Sequence, residues 1–219
     1  MKTVLITGAG TGLGKELALL YAKDNHQVIL AGRTLSKLEK TKHLIKQLGG
    51  TAHIQQLDIR SPEKAVKKLL LTHTIDILIN NAGVGHFGHF HRLRHEEIEE
   101  MIDSNVKGTI YVTKALIEHL LSRPEGKIIN IVSTAGLRGK VNESVYVASK
   151  FAVRGFTESL QKEYADTRLS IIGAYMGGMD TPFWDKTDHI KDKSRLKPAS
   201  DIAKFIYEKQ HTNEDIIIQ

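Results

Sequence analysis

The chain has 219 residues, of which 41% are hydrophobic and 26% are charged, as in an ordinary globular domain with a substantial core. No apolar run approaches the ~18 residues that a membrane-spanning helix needs, and the apolar run in the N-terminal MKTVLITGAG is too short for a signal peptide. The absence of cysteine excludes disulfides, thiolate metal sites and cysteine nucleophiles, and it favours a cytoplasmic location. We therefore expect a single domain over residues 1–219 that does not act at a membrane.

The formal net charge of +6 raises the question of an anionic partner. The lysines are scattered and mixed with acidic residues, as in SKLEKTKHLIK, which is typical of solvated helix faces. No aromatic and basic module of the kinds that bind nucleic acids is visible. The composition therefore predicts no nucleic-acid partner, and it leaves open a positive field that attracts a phosphorylated cofactor or an anionic substrate.

Short apolar runs alternate along the chain with longer segments of helical period. The predicted strands cover 3–7, 27–31, 51–57, 76–80, 127–132, 169–175 and 215–219. The predicted helices cover 12–24, 34–48, 61–73, 95–121, 144–165 and 199–210. Because the apolar runs lack strict alternation, the strands are expected to be buried on both faces of a parallel sheet. The pattern predicts a three-layer, doubly wound α/β (Rossmann) fold with a mostly or wholly parallel seven-stranded sheet.

A glycine-rich loop, ITGAGTGLGKEL, follows the first predicted strand and opens the first predicted helix. Glycines allow a tight turn and a close approach to phosphate, and the helix N-terminus presents free amides. A Walker loop is excluded because Ala9 and Glu16 stand where it needs Gly and Ser or Thr. The pattern T-G-x-x-x-G-x-G does fit, and in this position it predicts a dinucleotide site rather than a bare tight turn; its members are Thr7, Gly8, Gly12 and Gly14.

The end of the second predicted strand, ILAGRT, indicates the type of dinucleotide. NAD sites usually carry an acid there for the ribose 2′-hydroxyl, whereas an arginine accommodates the 2′-phosphate of NADP. Arg33 holds this position and no acid is present. The sequence therefore predicts NADP(H), with NAD(H) as the alternative, unless Arg33 is only a solvent-exposed side chain.

Four further fragments occur in chain order: LDI (57–59), NNAG (80–83), NIVSTAG (130–136) and YVASK (146–150). Together with TGAGTGLG, they give the chain a strong resemblance to the short-chain dehydrogenase/reductase family over nearly its whole length. The resemblance implies an enzyme that transfers a hydride between a nicotinamide cofactor and a carbonyl or secondary alcohol, such as a 3-oxoacyl compound or another small ketone. It also implies a homodimer or homotetramer.

The resemblance further implies the site residues and their roles. Tyr146 would give a proton to the carbonyl oxygen that Ser133 orients. Lys150 would tune Tyr146 and hold the nicotinamide ribose, while Asn105 would position a water and Asp58 would bind the adenine amino group. The implied catalytic residues are Asn105, Ser133, Tyr146 and Lys150. The implied cofactor-binding residues are Gly8, Thr11, Gly12, Leu13, Gly14, Arg33, Asp58, Asn81, Ala82, Gly83, Tyr146, Lys150, Gly177 and Thr181.

Elementary chemistry supports a site at the carboxyl ends of the strands, where ligands bind in open α/β sheets. Tyr146 and Lys150 are four residues apart and share one helix face. Because an ammonium beside a phenol favours the phenolate, we expect the pKa of Tyr146 to be lowered from ~10. Singly, each of these residues also has an ordinary structural interpretation, so a cofactor-binding regulator or scaffold without chemistry is the alternative function.

One position departs from the family pattern. After the sixth predicted strand the family has a Pro-Gly turn, but here Met176 precedes Gly177. Proline would fix the backbone angle before the loop that contacts the cofactor. Two outcomes follow: a looser cofactor loop, or a fold that supplies the same geometry without proline. The loop over 182–198 is expected to form much of the substrate pocket, with Phe183 and Trp184 as an apolar wall.

A histidine-rich segment, GHFGHFHRLRH, follows the NNAG turn. Its spacing lacks the H-E-x-x-H geometry of a zinc site, and no cysteine is present to assist, so no metal site is predicted. By resemblance the segment edges the active site. His86 is expected to touch substrate, whereas His89, His91 and His95 are expected to face solvent or the next helix.

Overall fold

The computed structural model describes residues 1–185 and 187–218. The strands are β1 (Thr3–Thr7), β2 (Gln27–Gly32), β3 (Thr51–Gln56), β4 (Ile77–Asn80), β5 (Lys127–Ile131), β6 (Ser170–Met176), β7 (Met179–Asp180), β8 (Lys197–Pro198) and β9 (Ile216–Ile218). The α-helices are α1 (Gly12–Lys23), α2 (Leu35–Gln47), α3 (Glu63–Leu70), α4 (His95–Met101), α5 (Thr109–Leu121), α6 (Ser144–Glu163) and α7 (Ala199–Lys209). A π-helical segment, Ile102–Gly108, joins α4 to α5.

The main sheet has seven strands in the order β3-β2-β1-β4-β5-β6-β9, and every neighbouring pair is parallel. This confirms the predicted doubly wound fold. The strand order reverses between β1 and β4, where a crevice opens beyond the carboxyl ends of the strands. A separate two-stranded ribbon pairs β7 with β8, and it was not predicted because each strand has only two residues.

Each face of the sheet is covered by a layer of helices. Along β1, Val4 and Ile6 pack into the cluster that includes α1, α2 and α7, whereas Leu5 packs into the cluster that includes α3 and α5. All three side chains are fully buried. Alternate side chains of one strand thus supply both cores, which explains why the strand sequences lack polar alternation.

The helices differ from prediction most clearly at 95–121. A single helix was expected there, but the π-helical segment interrupts it. Side-chain periodicity does not reveal the wider turn, because the apolar patterns before and after it are each helical and differ only in phase. In the part of the chain that the structure describes, no helix combines the length and apolar character needed to cross a membrane.

A line of buried polar side chains crosses the sheet and ties its middle strands to their helices. Asn80 on β4 donates from Nδ2 to Thr113 Oγ1 on α5 and to Asn130 Oδ1 on β5, each at 2.9 Å. Asn130 Nδ2 in turn donates to Thr157 Oγ1 on α6, also at 2.9 Å. Since an unpaired buried amide is costly, these bonds fix the relative positions of the two strands that lead into the site.

Candidate active site

A cleft of about 620 Å³ opens along the carboxyl ends of the strands. It brings together most of the residues that the sequence predicted for the site: Gly8, Thr11, Gly12, Leu13, Arg33, Asp58, Asn81, Ala82, Gly83, Ser133, Tyr146, Lys150, Gly177 and Thr181. Two predicted residues, Gly14 and Asn105, do not line the cleft and instead support its wall.

The glycine turn between β1 and α1 forms one end of the cleft. Gly8 and Gly12 have φ angles of +67° and +53°, which glycine adopts without strain. A side chain at Gly14 is excluded because a Cβ there would lie 2.5 Å from both Asn81 Nδ2 and the Gly8 carbonyl oxygen. The N-cap residue of α1, Thr11, makes no capping bond with its side chain, and the first turn of α1 contains no acid. This turn therefore suits the pyrophosphate of a dinucleotide.

Thr7 and Asn81 hold the glycine turn against the turn that follows β4. The Thr7 hydroxyl donates to the Ile79 carbonyl and accepts from the backbone amides of Asn81 and Ala82. Asn81 Nδ2 returns a bond of 2.9 Å to the Thr7 carbonyl. The two turns that flank the crevice are thereby braced as one unit.

Basic side chains surround the far end of the cleft. Arg33, after β2, is exposed, and Lys37 on α2 also lines this end. Asp58 is paired with Arg60, whose Nη2 lies 2.6 Å from Asp58 Oδ2. This hydrogen bond lowers the pKa of the Asp58 carboxyl, and Arg33 acts in the same direction. Among the described residues, Arg33 and Lys37 are therefore two cations at this end of the cleft without a carboxylate partner. The Asp58 carboxylate, which was expected to bind adenine, is paired with Arg60.

Ser133 lies beyond β5 with a strained backbone. Its φ and ψ angles are 101° and 150°, a region that glycine occupies but other residues rarely do. The Ser133 Oγ accepts a bond of 3.2 Å from the Ala135 amide. The Ser133 hydroxyl also acts to lower the pKa of the Tyr146 phenol, and both side chains line the cleft, so the two hydroxyls expected to bind the substrate oxygen are neighbours.

Burial governs the protonation of Tyr146 and Lys150. Tyr146 is 9% exposed and lies in an apolar cluster with Met101, Ala135 and Val145. Burial raises the pKa of its phenol, and the Ser133 hydroxyl acts in the opposite direction. Burial also lowers the pKa of Lys150 to about 8. The expected lowering of the Tyr146 pKa by Lys150 is wrong for this structure, because desolvation outweighs an ammonium whose Nζ is 5.7 Å from the ring centroid.

Lys150 Nζ donates to the Ile131 carbonyl at 3.0 Å, which holds the side chain along the floor of the cleft. Asn105 lies in the π-helical segment and is 1% exposed. Its Oδ1 accepts from the Val84 amide at 2.8 Å, and its Nδ2 donates to the Val84 carbonyl and to Ser149 Oγ. The Asn105 side chain is therefore committed to the protein framework, which positions the Gly83–Val84 backbone beside Lys150.

Met176, at the position where the family has proline, is the last residue of β6. It is 1% exposed, packs in the main core and pairs in register with Ile218 of β9. Beyond it, Thr181 lies directly against the glycine turn, since a Cβ on Gly12 would lie 3.2 Å from Thr181 Cβ. These contacts favour the second expected outcome, in which the fold supplies the loop geometry without proline.

Several residues at the site were missed by the sequence interpretation. Phe87 packs edge-on against Tyr146, with ring centroids 5.4 Å apart. Glu143, only 8% exposed, stands directly before α6 and pairs with His189 at 3.0 Å. The signal for Glu143 was its position three residues before Tyr146, but nothing in the sequence linked it to His189.

The histidines of the histidine-rich segment lie in two different environments. His86 lines the cleft and pairs with Glu100 at 2.9 Å, whereas His89 and His91 stack on each other in an exposed position. Among residues 1–185 and 187–218, no three His, Asp or Glu side chains are grouped so as to hold a metal ion.

The doubly wound sheet, with a glycine turn at its crevice and a Ser-Tyr-Lys group beside it, defines a nicotinamide-dependent oxidoreductase. A family model described as short chain dehydrogenase matches residues 2–192. The chain belongs to this family, and the predicted family is confirmed.

Known relatives and structures agree with this assignment. An uncharacterized oxidoreductase of Thermotoga maritima is 37% identical over 172 residues, which are 78% of this chain and 68% of the relative. The structure of an alcohol dehydrogenase from the archaeon Thermococcus sibiricus, complexed with 5-hydroxy-NADP, matches with a TM-score of 0.89 and 28% identity, covering 100% of this chain and 96% of that one. An actinorhodin polyketide ketoreductase with NADPH matches with a TM-score of 0.88 and 25% identity, covering 99% and 95%.

Proposed function

We propose that this oxidoreductase is an NADP-dependent reductase of small ketones. The observation that carries the proposal is that Ser133, Tyr146 and the buried Lys150 line the same cleft, which has the basic side chains Arg33 and Lys37 at its other end. A ketone oxygen placed within reach of both hydroxyls would be held and protonated by them.

A nicotinamide cofactor held by the glycine turn and by Lys150 would supply the hydride for the carbonyl carbon. Ser133 donates a hydrogen bond to the carbonyl oxygen and orients it, and Tyr146 gives its phenolic proton to the same oxygen. Lys150, as the ammonium, stabilises the phenolate left on Tyr146. Asn105 holds the backbone of Gly83 and Val84 beside Lys150, so that the ribose side of the cleft keeps its shape.

Tyr146 enters the proposed reduction as the acid. Burial raises the pKa of this phenol, so it keeps its proton at neutral pH. Reduction uses the phenol as an acid, and the reverse reaction, alcohol oxidation, uses the phenolate as a base.

The central test is Tyr146→Phe. We expect this change to lower NADPH consumption with a panel of ketones by at least about a hundredfold, because general acid catalysis typically contributes about 10²–10⁴-fold. NADPH binding, measured by fluorescence titration, should remain within about threefold of wild type, since the ring is kept. Near-normal turnover in this variant would contradict the mechanism. Binding of NADPH by the wild type without turnover of any carbonyl would favour a regulator.

The cofactor preference is tested by Arg33→Asp. Arg33 and Lys37 are the basic groups positioned for a 2′-phosphate, and an acid after β2 is the usual partner of the NAD ribose. We expect the ratio of kcat/KM for NADPH to that for NADH to fall by about tenfold or more, since a charge-assisted bond contributes about 1.5–3 kcal/mol. Lys40→Asp makes the same charge change at an exposed site on α2 outside the cleft and serves as the control. An unchanged ratio in Arg33→Asp would sink the assignment.

We also propose a homodimer or homotetramer, as in the family that the sequence resembles. The helices α5 and α6 support this by exposing Tyr111 at 36% and Phe151 at 41%, and α6 also exposes the small apolar side chains of Ala148 and Ala152. Light scattering after size exclusion would measure the mass. A monomer at micromolar concentration would contradict this part of the proposal.

A further inference from the structure

Four aromatic side chains pack against one another beside the cleft, and we call them the aromatic wall: Phe87, Phe183 and Trp184, which line the cleft, and His189, which stacks on Phe87 without lining it. The Phe87 ring is nearly parallel to that of His189, at 4.8 Å and 12°, and to that of Trp184, at 5.1 Å and 28°. Phe183 meets Trp184 edge to face at 4.9 Å. These separations are those of favourable aromatic pairs, so the rings hold one another in place.

The aromatic wall reaches the residue expected to protonate the substrate. The ring centroids of Phe87 and Phe183 lie 5.4 Å and 5.8 Å from that of Tyr146. A carbonyl oxygen within hydrogen-bonding reach of Tyr146 therefore carries its nearest substituent into the neighbourhood of these two rings. The group directly attached to the carbonyl carbon is the part of a substrate that the wall would contact.

The backbone beneath the wall is shaped for this packing. A Cβ on Gly85 would lie 2.5 Å from Phe87 Cζ and 2.6 Å from Phe183 Cζ. Only glycine lets both ring tips approach the chain so closely. The convergence of two phenylalanine rings on this glycine is a built feature of the loop after β4.

The polar atoms of the wall are turned towards protein partners. Trp184 Nε1 donates to the Met179 carbonyl at 3.0 Å, and His189 Nε2 lies 3.0 Å from the buried Glu143 carboxylate. The Trp184 bond holds the segment after β6 together, and the His189 contact anchors that segment to Glu143 at the start of α6. Because these nitrogens are engaged, the wall contributes carbon ring faces and edges to the cleft.

We propose that, if the protein is the ketone reductase proposed above, the aromatic wall selects ketones that carry a planar aromatic ring next to the carbonyl. Offset or edge-to-face contacts between rings favour an aromatic substituent over a saturated ring of similar bulk. Each such contact changes a rate or binding constant by about three- to tenfold. His189, through Glu143, is a positioning residue for this wall.

The test compares phenyl, cyclohexyl and hexyl methyl ketones, which have equal numbers of carbon atoms, with the full chain and NADPH. We expect kcat/KM for the phenyl ketone to exceed that for the cyclohexyl ketone by about tenfold, from two aromatic contacts. The hexyl ketone should be the poorest of the three. Equal values for the phenyl and cyclohexyl ketones, or turnover only of carbonyls without an aromatic ring, would overturn the proposal.

Substitutions in the aromatic wall test whether it causes the preference for the phenyl ketone. Phe87→Leu and Phe183→Leu should each reduce the phenyl-to-cyclohexyl ratio of kcat/KM by about three- to tenfold, whatever the absolute rate of each variant. Phe90→Leu is the matched control, because Phe90 is 65% exposed and lies outside the cleft. An unchanged ratio in both wall variants, or an equal fall in the Phe90 variant, would overturn the proposal.

The positioning role of His189 is tested by two variants. His189→Gln should lower the phenyl-to-cyclohexyl ratio of kcat/KM, and His189→Leu should lower it further. Glutamine can still reach Glu143 with a donor, whereas leucine leaves this buried carboxylate without its partner. Both variants should keep NADPH binding. Equal ratios in wild type and His189→Leu would overturn this role.

A binding measurement separates this proposal from the proposed reaction. Trp184 is the single tryptophan of the chain, so its fluorescence reports directly on the wall. In Tyr146→Phe with NADP⁺ bound, the phenyl carbinol should bind about tenfold more tightly than the cyclohexyl carbinol. A preference seen here without turnover in wild type would support the wall and refute the reaction. No preference in binding would overturn the wall.

Discussion

Tyr146 and Lys150 show how burial decides the protonation of side chains that the sequence presents only as neighbours. Their spacing on α6 was predictable, and so was their position at the cleft. The direction of the Tyr146 pKa shift was not, because the apolar cluster around its ring is assembled from α4, α6 and the segments after β4, β5 and β6. Desolvation of a phenol is a property of that assembly.

The pH dependence of cofactor capture should follow Lys150. Burial lowers the pKa of Lys150 to about 8, so it carries its positive charge below that pH and loses it above. The pKa of Tyr146 is raised, so its phenol stays protonated through the same range. We expect kcat/KM for NADPH, which reports groups of the free enzyme, to be level at neutral pH and to fall as pH rises through about 8.

The matched variant for this pH profile is Lys150→Arg. Arginine keeps its charge throughout the accessible range, so the fall should disappear whatever the absolute rate of the variant. A fall at the same pH in the arginine variant would assign the titration to another group.

At the scale of elements, a buried hydrogen bond joins the π-helical segment to α6. Asn105 Nδ2 donates to Ser149 Oγ at 3.0 Å, and Ser149 Oγ donates to the Tyr146 carbonyl at 2.7 Å. Ser149 is fully buried, and in the sequence it stands between Tyr146 and Lys150. It was not singled out from the sequence, since a serine in a helix has many ordinary explanations.

Removing that contact should cost both stability and rate. We expect Ser149→Ala to lower the free energy of unfolding by about 1–3 kcal/mol, because an amide proton of Asn105 is left buried without this acceptor. It should also lower kcat by a larger factor than it changes KM for NADPH. Ser144→Ala, in the first turn of the same helix but exposed, is the control for denaturant unfolding and for kinetics. Equal effects of the two changes would show that the contact does not position the site.

The strands of the main sheet were predictable to within one or two residues, apart from the predicted end at 219, which lies outside the described residues, because most are apolar runs bounded by polar or glycine residues. The β7–β8 ribbon was not, since its pairing depends on where the loop after β6 returns. The π-helical segment was also invisible, because the wider turn at Asn105 leaves the flanking helical patterns intact. The local pattern of apolar and polar residues therefore predicted the strands of the main sheet. It did not predict the ribbon or the π-helical segment, because contacts distant in sequence shape the backbone there.

At the scale of the whole molecule, the parallel sheet gathers the site from segments that are far apart in sequence. The glycine turn, Arg33, the NNAG turn and Ser133 could be placed together because each follows a strand whose carboxyl end faces the same edge. Of the aromatic wall, Phe183 and Trp184 were expected at the substrate pocket, and both line the cleft, but the other two side chains could not be placed from the sequence. Phe87 and His189 lie in irregular segments, and no periodicity or strand end relates them.

The backbone of Ser133 has a consequence for the stability of the whole molecule. At φ 101° and ψ 150° an ordinary residue is strained by about 1–3 kcal/mol, whereas glycine is not. We therefore expect Ser133→Gly to melt at a higher temperature than Ser133→Ala, by about 2–4 °C for each kcal/mol of strain relieved. Both variants should lose turnover. Calorimetry that found the alanine variant to be the more stable would show that the backbone relaxes.

That comparison separates selection for folding from selection for chemistry. If only a durable fold were required, glycine would suit this position better than any residue with a side chain. A serine held in glycine's conformation is a trade-off, in which the chain gives up thermal stability to keep one hydroxyl beside Tyr146. A descendant of this protein released from catalysis would be expected to drift towards glycine here, with the fold improving as the reaction is lost.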